Sequence, residues 1–556
     1  MDIPKVFNDP IHSSVQMPKH CQIIIDTPEF QRLRFIKQLG CTCYVFPSAV
    51  HTRFEHSIGV SYLAGKLASM LRQNDSKSIQ EVEVTCVEIA GLCHDLGHGP
   101  FSHDFQDIVP PDKDGNKWNH EEQSVFMLKY LIKQNSLEKK LEEHNIYTED
   151  IKFICKLILG VKKDEKMLRE NKLYLYQIVN NFVNGVDVDK WDYCARDTHY
   201  LGMKSAFDFN RILPFVKVLD VKRGDHTRKE LCFRDKVARD LNIMFLTRRR
   251  LHYTSYQHRV TKVIAIMLQE AFQEAADHLI FVGEGGKKYN LLESVKDPKA
   301  FCQVDDTILN EIKRSRSQEP GMVRAREIIE RIHKRELYQC LAICEHANEK
   351  LKMDAVDPDE IKRLIVKDDD DLPSRLPISS RKIFQADNIV VQVSRFDYGS
   401  GDRNPLLDIP FYKKPIDGKL DAKLLKEDEL PADKVDVTLR IYTKVPKLDQ
   451  ETITWAKVIC QTKLEEMYRR PRSPQTTPAK QKIENQLSGP RPPSTPGLDS
   501  NGSTDVSAGY QDLMSTPPDA AVGGRPTRLA ESQSPEPEDK ATPDSAKRQL
   551  NFGTAP

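Results

Sequence analysis

The sequence predicts a mainly α-helical protein with a small α+β lobe and an unstructured tail. Apolar residues recur at helical spacing through most of residues 1–345. Short segments with alternating apolar residues follow within residues 346–468. Residues 469–556 are rich in Pro, Ser, Thr and Gly and have almost no aromatic residues. These three patterns predict a helical core over 1–345, a smaller α+β lobe over 346–468 and a disordered tail over 469–556.

The overall composition excludes several classes of protein. The chain has 83 Lys and Arg against 82 Asp and Glu, a formal net charge of +1, so no global field favours nucleic acid or a membrane surface. No apolar stretch is long enough to span a membrane, and the N-terminus lacks the apolar region of a signal peptide. The 12 cysteines show no framework spacing, which indicates reduced thiols. We expect an intracellular protein of the nucleus and cytoplasm, mainly nuclear.

The first elements are predicted from capping and stop signals. Asp26 or Thr27 is a candidate N-cap, and Pro28 occupies the first position of the helix that follows. The apolar spacing then predicts a helix over residues 58–71. A second apolar helix should end before Gly97, where Gly and Pro residues form a stop signal.

The middle of the chain is predicted to be mostly helical as far as about residue 280. A polar loop leads into a helix over residues 121–132, and helical spacing continues beyond it. A basic helix is predicted over residues 322–344. Two strands with alternating apolar residues follow, over residues 388–394 and 436–443.

One polar cluster interrupts the apolar pattern. His94 and Asp95 are adjacent at the end of the second apolar helix. A buried His beside a buried Asp is costly unless both have partners, and a metal ion is a common partner. Two adjacent ligands cannot complete a coordination sphere, so His56 upstream and Asp189 downstream are the best further candidates. Imidazole nitrogens and carboxylate oxygens suit zinc, iron or manganese better than calcium.

The order His, His-Asp, Asp resembles the ligand pattern of the HD phosphohydrolase superfamily. A metal held in this way keeps positions open for water and phosphate oxygens. Near it the sequence offers imidazoles that can transfer a proton near neutral pH and cations that can bind a polyphosphate. These groups are His98, His103 and His120, and Arg53, Lys190 and Arg248. The combination favours a triphosphate substrate.

A closer resemblance extends over most of the chain. The motifs that carry it occur in this order: Phe30-Gln-Arg-Leu-Arg, Arg53-Phe-Glu-His, the His94 cluster, Lys117-Trp-Asn-His-Glu, Asp187-Val-Asp-Lys-Trp-Asp-Tyr, Tyr256-Gln-His-Arg and Phe396-Asp-Tyr-Gly. This set resembles the vertebrate deoxynucleoside triphosphate (dNTP) triphosphohydrolases that carry a SAM domain before their HD domain; the SAM domain is expected to be absent here. The resemblance implies cleavage of dNTPs to deoxynucleoside and inorganic triphosphate, with attack at the α-phosphorus.

The resemblance also implies a role for each matching residue of the site. The implied metal ligands are His56, His94, Asp95 and Asp189. The implied catalytic groups are His120, which would protonate the leaving 5′ oxygen, and His98 and His103 beside the α-phosphate. The implied substrate contacts are Gln38, Leu39, Arg53, Asp187, Lys190, Tyr193, Asp197, Arg248, Tyr256 and Gln257. Arg53, Lys190 and Arg248 match a phosphate clamp, and magnesium is expected with the nucleotide.

Two parts of the substrate site are matched to the sugar. Gln38, Tyr193 and Asp197 match the surroundings of the 3′-hydroxyl. Leu39 and Tyr256 match a steric floor that excludes a ribose 2′-hydroxyl, because an apolar wall leaves that group crowded and without a hydrogen bond.

Regulation is implied as well: the family is active as a homotetramer assembled by GTP or dGTP at one allosteric site and a dNTP at a second. The residues that match the guanine site are Lys5, Val6, Asp26, Gln31, Arg34 and Arg335. Those that match the dNTP site are Asn8, Arg211, Arg234, Lys236, His258, Arg259 and Lys444. An Asp carboxylate at the first site can accept from guanine N1–H and N2–H together, which accounts for the choice of base.

The chain departs from the family pattern at several positions. Gln106 replaces an Asp that would orient His120, so either a neighbouring carboxylate orients this imidazole or activity is reduced. Arg259 replaces a Lys, which keeps the charge and changes its shape. Gln339 and Asp240 differ from the regulatory pattern and leave the nucleotide preference open.

The tail contains repeated Ser-Pro and Thr-Pro pairs. Thr477-Pro-Ala-Lys matches a cyclin-dependent kinase site, and Lys547-Arg-Gln-Leu-Asn-Phe resembles a cyclin docking peptide. We expect Arg548, Leu550 and Phe552 to recruit a cyclin–kinase pair, and phosphate charge to modify assembly.

The predicted function is therefore a nucleotide-activated dNTP triphosphohydrolase that lowers dNTP pools, limits reverse transcription of viruses, and acts in innate immunity, DNA replication and repair. One alternative is an HD-type nuclease or phosphodiesterase on RNA or single-stranded DNA, for which the basic clusters at 248–250 and 334–335 would serve. A second is a nucleotide-binding protein in which Gln106 has weakened catalysis.

Overall fold

The computed structural model describes residues 5–75, 77–161, 167–344, 358–366, 381–396, 404–414, 420, 422–425 and 436–468. The predicted tail, with Thr477, Arg548, Leu550 and Phe552, lies outside these residues.

Helices dominate the described residues, as the sequence predicts. They are α1 (Lys19–Ile25), α2 (Pro28–Gln31), α3 (Arg53–Asn74), α4 (Glu81–Cys93), α5 (His103–Gln106), α6 (His120–Gln134), α7 (Glu138–Glu142), α8 (Thr148–Leu159), α9 (Leu173–Val179), α10 (Val188–Tyr200), α11 (Phe209–Ile212), α12 (Ala238–Leu251), α13 (Arg259–Ala275), α14 (Pro298–Phe301), α15 (Ile308–Arg314), α16 (Pro320–His333), α17 (Pro358–Ile365) and α18 (Gln450–Tyr468). None of them combines the length and apolar character needed to cross a bilayer.

The strands form four small sheets. They are β1 (Lys5–Asp9), β2 (Ser13–Met17), β3 (Val216–Arg223), β4 (His226–Arg234), β5 (Ile280–Val282), β6 (Lys288–Asn290), β7 (Gln339–Cys344), β8 (Ile389–Phe396), β9 (Pro410–Tyr412), β10 (Ala422–Leu424) and β11 (Asp436–Thr443). Hairpins pair β1 with β2 and β5 with β6. The larger sheets have the orders β10-β9-β4-β3 and β7-β11-β8, and among the described strands only β4 and β9 pair in parallel.

The site helices surround one hydrophobic core. Helix α3 packs against α4, α9 and α10, and it is buried along most of its surface. Reciprocal capping between Thr52 and Glu55 begins α3, and the same arrangement of Gln80 and Glu83 begins α4. These caps fix where each helix starts. They therefore fix which side chains of α3 and α4 face the adjacent helices.

A second apolar cluster lies in the sheet of β7, β11 and β8. Ile389 of β8 and Leu439 and Ile441 of β11 are buried there against Ala456 and Cys460 of α18. Strand β7 belongs to this sheet because Gln339 lies opposite Thr443. The observed strands β8 and β11 agree with the two predicted ones.

Two predictions of secondary structure were wrong. The segment from residue 216 to 234 is an antiparallel hairpin, whose turn contains Gly224 at φ +60°, instead of helix. The basic helix predicted over 322–344 ends at His333, because Arg335 takes a left-handed conformation at φ +60°. Residues 339–344 then form β7, since pairing with β11 stabilises an extended backbone there.

Candidate active site

The end of helix α4 presents His94 and Asp95. His94 is the first residue after the helix, and its Nδ1 lies 2.9 Å from the carbonyl oxygen of Gly91. A carbonyl can only accept, so Nδ1 carries the hydrogen and Nε2 is left with its lone pair. That Nε2 is buried and has no hydrogen-bond partner among the described residues. It is therefore available as a ligand atom.

Helices α3 and α10 bring the other two predicted ligands to the same place. His56 lies in the first turn of α3, and Asp189 lies in the first turn of α10, which Asp187 caps by accepting from the Lys190 N–H at 3.0 Å. His56 Nε2 is 3.1 Å from Asp189 Oδ1 and 3.6 Å from Asp95 Oδ2. His94 Nε2 is 3.5 Å from one oxygen of each carboxylate.

This donor set fits a divalent metal ion. Ligand atoms bonded to zinc at about 2.0–2.2 Å lie roughly 3.0–3.5 Å from one another in tetrahedral or octahedral geometry. The separations of the four side chains fall close to that range. His56, His94 and Asp95 form one of the two groups among the described residues that could hold a metal. The unpartnered, buried Nε2 of His94 is the further observation in favour of an ion.

The buried charges of this group change the pKa of each member. Burial disfavours the charged form of His56, but hydrogen bonds with Asp189 and Asp192 overcome that effect and raise its pKa to about 10. Burial also disfavours the carboxylate of Asp95, yet the Arg53 guanidinium beside it holds the Asp95 pKa well below its usual range. The pKa of Asp189 is lowered too, by His56 and His94 against the effect of burial. Two ionised carboxylates thus remain in place to bind a cation.

Three further histidines form a second group next to the first. His98 stacks on His120 with ring centroids 4.0 Å apart, and His103 lies edge-on to both at 5.0 and 5.2 Å. Burial is the main cause that lowers the pKa of His98 and His120, and the positive charge of Arg53 adds to it. The pKa of His103, an exposed residue that lines the cavity, is lowered as well, by loss of hydration within the cavity and by Arg53. They are consequently neutral over most of the physiological pH range, and can accept protons or bind a metal.

Gln106 occupies the position expected for an orienting carboxylate. Its Oε1 lies 2.9 Å from Nδ1 of His120. Asp104 and Asp107 do not replace it: Asp104 Oδ2 accepts from the Cys41 N–H at 3.4 Å and Asp107 accepts from Gln269 at 3.3 Å. The nearest carboxylate to His120 Nδ1 among these neighbours is that of Glu121, whose Oε2 lies 3.4 Å away, farther than Gln106 Oε1. Because the Gln106 carbonyl accepts from Nδ1–H, Nε2 of His120 faces its surroundings as a lone pair.

One cavity of about 640 Å³ connects these groups to the predicted substrate contacts. The predicted site residues that line it are Gln38, Leu39, Arg53, His94, Asp95, His103, His120, Asp189, Lys190, Tyr193, Asp197, Arg248, Tyr256 and Gln257. The remaining ones, His56, His98 and Asp187, are buried side chains that contact this lining. All predicted catalytic, metal and substrate residues therefore gather around a single cavity.

The residues matched to the sugar are held by a buried hydrogen-bond network. Asp197 accepts from His51 at 2.7 Å and from the hydroxyl of Tyr256. Tyr193 accepts from Arg248 Nε at 3.1 Å. These contacts fix the Tyr256 ring and the Asp197 carboxylate, so the shape of this end of the cavity is largely set before a ligand binds.

Several residues that line the cavity were not predicted from the sequence. They are Lys262 of α13, His252 in the π-helical turn after α12, and Gln392, Val393 and Ser394 of β8. Lys262 lies one helical turn after Arg259, which is a weak signal. The strand residues give no chemical signal at all, because only the fold brings β8 to the cavity.

Four of the six residues predicted to bind guanine form two hydrogen-bonded pairs near the N-terminus. Lys5 Nζ donates to Asp26 at 2.5 Å, and Arg34 donates to Gln31 at 2.7 Å. Gln31 in turn donates to the carbonyl of Ile25, the residue before Asp26, at 2.7 Å. Val6 is 51 % exposed on β1. Arg335 donates to the carbonyl of Tyr44.

The residues predicted to bind a second nucleotide lie on several elements. Arg234 and Lys236 lie over the ring of Phe215, and Arg211 pairs with Asp240 at 3.0 Å. The others are Asn8 on β1, His258 and Arg259 at the start of α13, and Lys444, which pairs with Glu270 at 2.9 Å. Asp240 therefore neutralises one of the predicted phosphate-binding cations.

The fold and the site define the class of this protein: a helical metallohydrolase of the HD type. The HD domain family matches residues 53–196, which include all four predicted metal ligands. Several relatives are named deoxynucleoside triphosphate triphosphohydrolase SAMHD1 or its homologue. The Gallus gallus protein is 41 % identical over 458 residues, 80 % of this chain and 72 % of the relative. The Homo sapiens protein is 38 % identical over 476 residues, 82 % and 73 % of the two chains.

The similarity reaches beyond vertebrates. The Dictyostelium discoideum homologue is 36 % identical over 411 residues, covering 74 % of this chain and 71 % of its own length. The chain therefore belongs to the SAMHD1 family of deoxynucleoside triphosphate triphosphohydrolases, and it is an enzyme of that family.

Proposed function

We propose that this chain hydrolyses dNTPs to the deoxynucleoside and inorganic triphosphate. One observation carries the proposal: three of the four predicted metal ligands and three cations line the same cavity. Arg53, Lys190 and Arg248 are those cations. A neutral substrate would give no reason for so many positive groups beside a metal centre, whereas a triphosphate chain needs them. The names of the relatives supply the substrate class.

The metal would be held by His56, His94, Asp95 and Asp189. When bound, it would polarise a phosphate oxygen and lower the pKa of a coordinated water. Zinc, iron and manganese all suit this set of nitrogen and oxygen donors. Magnesium would accompany the nucleotide, because phosphate oxygens are its preferred ligands.

The proton for the leaving group is assigned to His120. Its imidazole lines the cavity while Gln106 holds its Nδ1. In this role His120 must gain a proton before the O5′–phosphorus bond breaks, and it then donates that proton to the 5′ oxygen of the deoxynucleoside. His98 and His103 would contact the α-phosphate region as neutral donors.

Selection of a deoxyribose is assigned to Leu39 and Tyr256. Tyr256 is fixed by its hydrogen bond to Asp197, so its ring cannot easily move aside for a larger sugar. A ribose 2′-hydroxyl would meet this wall without a hydrogen-bond partner. Asp197, Tyr193 and Gln38 would accept or donate to the 3′-hydroxyl.

Regulation is proposed to follow the family pattern. GTP or dGTP would bind at the site of Lys5, Asp26 and their neighbours, and a dNTP at the site of Arg211 and Lys236, to assemble a homotetramer. The exposed pair of Lys5 and Asp26 supports the first assignment, because both groups can turn from each other to a ligand. Asp26 can then accept the two N–H donors of guanine.

The cellular role is proposed on the same basis. An enzyme that destroys dNTPs lowers their pools, which would restrict viral reverse transcription and influence innate immunity, replication and repair. We propose a location in the nucleus and cytoplasm. Phosphorylation of Thr477 by a kinase recruited through Arg548, Leu550 and Phe552 would add charge to the tail.

The assay that tests the proposal follows dGTP, which can act as activator and as substrate. Purified protein should release deoxyguanosine and triphosphate, and His94→Ala combined with Asp95→Ala should abolish the release. Glu149→Gln, which changes an exposed ion pair on α8, serves as the control and should leave it unchanged. If the protein instead released nucleotides from single-stranded DNA or RNA and no triphosphate from dGTP, the proposal would be wrong.

A second candidate rests on Gln106. If the amide leaves too small a fraction of His120 protonated at neutral pH, the chain would bind nucleotides and assemble without rapid turnover. In that case the dGTP assay would yield assembly and no product.

A further inference from the structure

We propose that Asp192 is a positioning residue for the metal ligand His56, and that Arg196 fastens the end of strand β1 to the same carboxylate. Order in β1 and affinity for the metal would then depend on each other. Asp192 was not among the residues predicted from the sequence. It lies one helical turn after Asp189 on α10 and faces the opposite side of His56.

The carboxylate of Asp192 is fully engaged. Its Oδ2 is 2.7 Å from His56 Nδ1 and accepts from Arg196 Nε at 2.8 Å. Its Oδ1 is 2.6 Å from His12 Nε2 and accepts from Arg196 Nη2 at 2.9 Å. All of these side chains are at most 1 % exposed. Water therefore cannot replace a lost partner, and the geometry around Asp192 is determined by these four contacts.

The contact with Asp192 determines which nitrogen of His56 can bind a metal. An ionised carboxylate only accepts hydrogen bonds, so Nδ1 of His56 must carry the hydrogen. Nε2 is then the nitrogen that faces Asp189 and Asp95, and it can bind a metal once the proton that it shares with Asp189 in the metal-free protein is released. A carboxylate behind a ligating histidine fixes its tautomer and orientation and typically changes metal affinity about 10- to 100-fold.

Gly59 makes room for this arrangement. It lies on α3, three residues after His56, and an added Cβ would be 2.1 Å from Asp192 Oδ1 and 2.6 Å from Arg196 Nη2. Only a residue without a side chain lets the carboxylate and guanidinium lie against α3. The absence of a side chain at Gly59 therefore allows α10 to approach α3 closely enough for Asp192 to contact His56.

The network continues to the N-terminal strand through Asp9. Arg196 Nη1 donates to Asp9 Oδ2 at 2.8 Å, while Asp9 Oδ1 accepts from the N–H groups of Ile11 and His12 at 2.8 and 2.9 Å. These bonds hold the turn between β1 and β2 and place His12 against Asp192. Direct hydrogen bonds join His56 to Asp9 through Asp192 and Arg196. Disorder of the β1–β2 turn should therefore weaken the hold on His56, and displacement of His56 should destabilise the turn.

The test measures metal binding directly, with Co²⁺ absorption in the visible range and Zn²⁺ competition on the full chain. Asp192→Asn keeps the shape of the side chain and removes the charge that fixes the His56 tautomer. We expect metal affinity to fall about 10- to 100-fold and the Co²⁺ spectrum to change.

Glu230→Gln is the matched control, because Glu230 is also fully buried and also pairs with an arginine, Arg223, at 2.7 Å. It lies on β4 and makes no bond to the metal ligands. Both substitutions should lower the unfolding temperature, but only Asp192→Asn should weaken metal binding. Equal metal affinity in Asp192→Asn and the unsubstituted protein, or equal losses in both variants, would overturn the proposal.

Asp9→Asn tests the second part of the proposal, the coupling of β1 to the metal site. It also tests the proposal as a whole if Asp192→Asn does not fold. It lies at the other end of the network from His56, so a purely local role for Asp9 predicts no change in metal affinity. We expect a several-fold loss, together with faster hydrogen exchange of β1 and β2 in the metal-free protein than in the loaded one. Unchanged affinity and exchange that is independent of metal would contradict the coupling.

Discussion

The contact between His120 and Gln106 should determine how the rate of hydrolysis depends on pH. Burial lowers the pKa of this imidazole despite the opposing charges of Glu121 and Asp95, and Gln106 Oε1, the atom nearest to Nδ1, adds no negative charge of its own. A general acid must be protonated to act, so the rate should fall as the pH rises through the pKa of His120. With a lowered pKa, that decrease begins below neutral pH.

We therefore predict that Gln106→Asp moves the decrease in kcat to higher pH. A carboxylate beside Nδ1 stabilises the imidazolium, and the rate of dGTP hydrolysis at pH 7.5 should increase. The pH profile of kcat is the measurement, and Asp107→Asn, an exposed neighbour without contact to His120, is the control. An unmoved profile in Gln106→Asp would show that His120 is not the acid. His120→Ala should lower kcat by about 10²- to 10⁴-fold.

Asp306 stabilises a strained turn beside the site. Phe101 and Ser102 have positive φ values of 56° and 59°, and the Phe101 N–H donates to Asp306 Oδ1 at 2.6 Å. The other oxygen accepts from Lys37 N–H at 3.1 Å. Burial raises the pKa of Asp306 to about 6, against the opposing effect of Lys37. The turn directly precedes His103, so this carboxyl group supports the position of a predicted catalytic residue.

This raised pKa predicts a particular dependence of stability on pH. The folded protein binds the Asp306 proton more tightly than the unfolded chain, whose Asp pKa is about 3.9. The stabilising contribution is thus complete below about pH 4 and is lost as the pH rises through about 6. Asp306→Asn removes this titration, so the unfolding temperature of the unsubstituted protein minus that of the variant should be larger at pH 4 than at pH 7. A constant difference would refute the assignment.

At the scale of elements, the contact between the end of α4 and the start of α6 positions both histidine groups. A Cβ added to Gly97 would lie 2.2 Å from the His120 carbonyl oxygen and 2.3 Å from the Ser124 nitrogen. Ser124 also donates to the carbonyl of His94 at 2.6 Å and accepts from the Gly97 N–H at 2.8 Å. The two helices meet through backbone, which leaves no flexible side chain to move aside.

Gly97→Ala should consequently destabilise the fold by about 1–3 kcal/mol or more and displace His120. Unfolding by denaturant measures the first effect, and kcat for dGTP the second. Gly91→Ala is the comparison on α4, because its added Cβ would lie 3.1 Å from Ala64 Cβ and needs a much smaller adjustment. Equal stability losses in the two variants would argue against the backbone contact as the cause.

The sequence predicted those elements that have local signals. Thr27 caps α2 as proposed, and the helices over 53–74, 81–93 and 120–134 contain the predicted ones. The hairpin of β3 and β4 was missed because its short apolar segments do not distinguish strand from helix. Strand β7 was missed because a non-local partner, β11, determines its conformation.

At the scale of the whole molecule, the chemistry of the site could be predicted because its residues occur in characteristic motifs. His94 and Asp95 stand together in the sequence, and the order of His56 and Asp189 around them is distinctive. Asp192 also lies in one of these motifs, Asp187-Val-Asp-Lys-Trp-Asp-Tyr, but the motif gives it no role, and only the packing of α10 on α3 shows that it contacts His56. The contribution of β8 to the cavity was unpredictable for the same reason.

At this scale, the oligomeric state of the protein should depend on bound nucleotides. We predict that GTP with a dNTP shifts the protein to a tetramer in analytical ultracentrifugation, and that Asp26→Asn prevents the shift with GTP. The amide retains one acceptor and adds a donor, so it cannot accept from both guanine N–H groups. Glu149→Gln is again the control. A tetramer formed equally well by Asp26→Asn would remove Asp26 from the guanine site.

The most direct test of the proposed reaction is dGTP hydrolysis in H₂¹⁸O, with the products separated and their masses determined by mass spectrometry. Attack of water on the α-phosphorus transfers the new oxygen to the triphosphate, while the 5′ oxygen leaves with the nucleoside and receives a proton. We expect one ¹⁸O atom in inorganic triphosphate and none in deoxyguanosine. Label in dGMP or in inorganic phosphate, with no triphosphate formed, would contradict it.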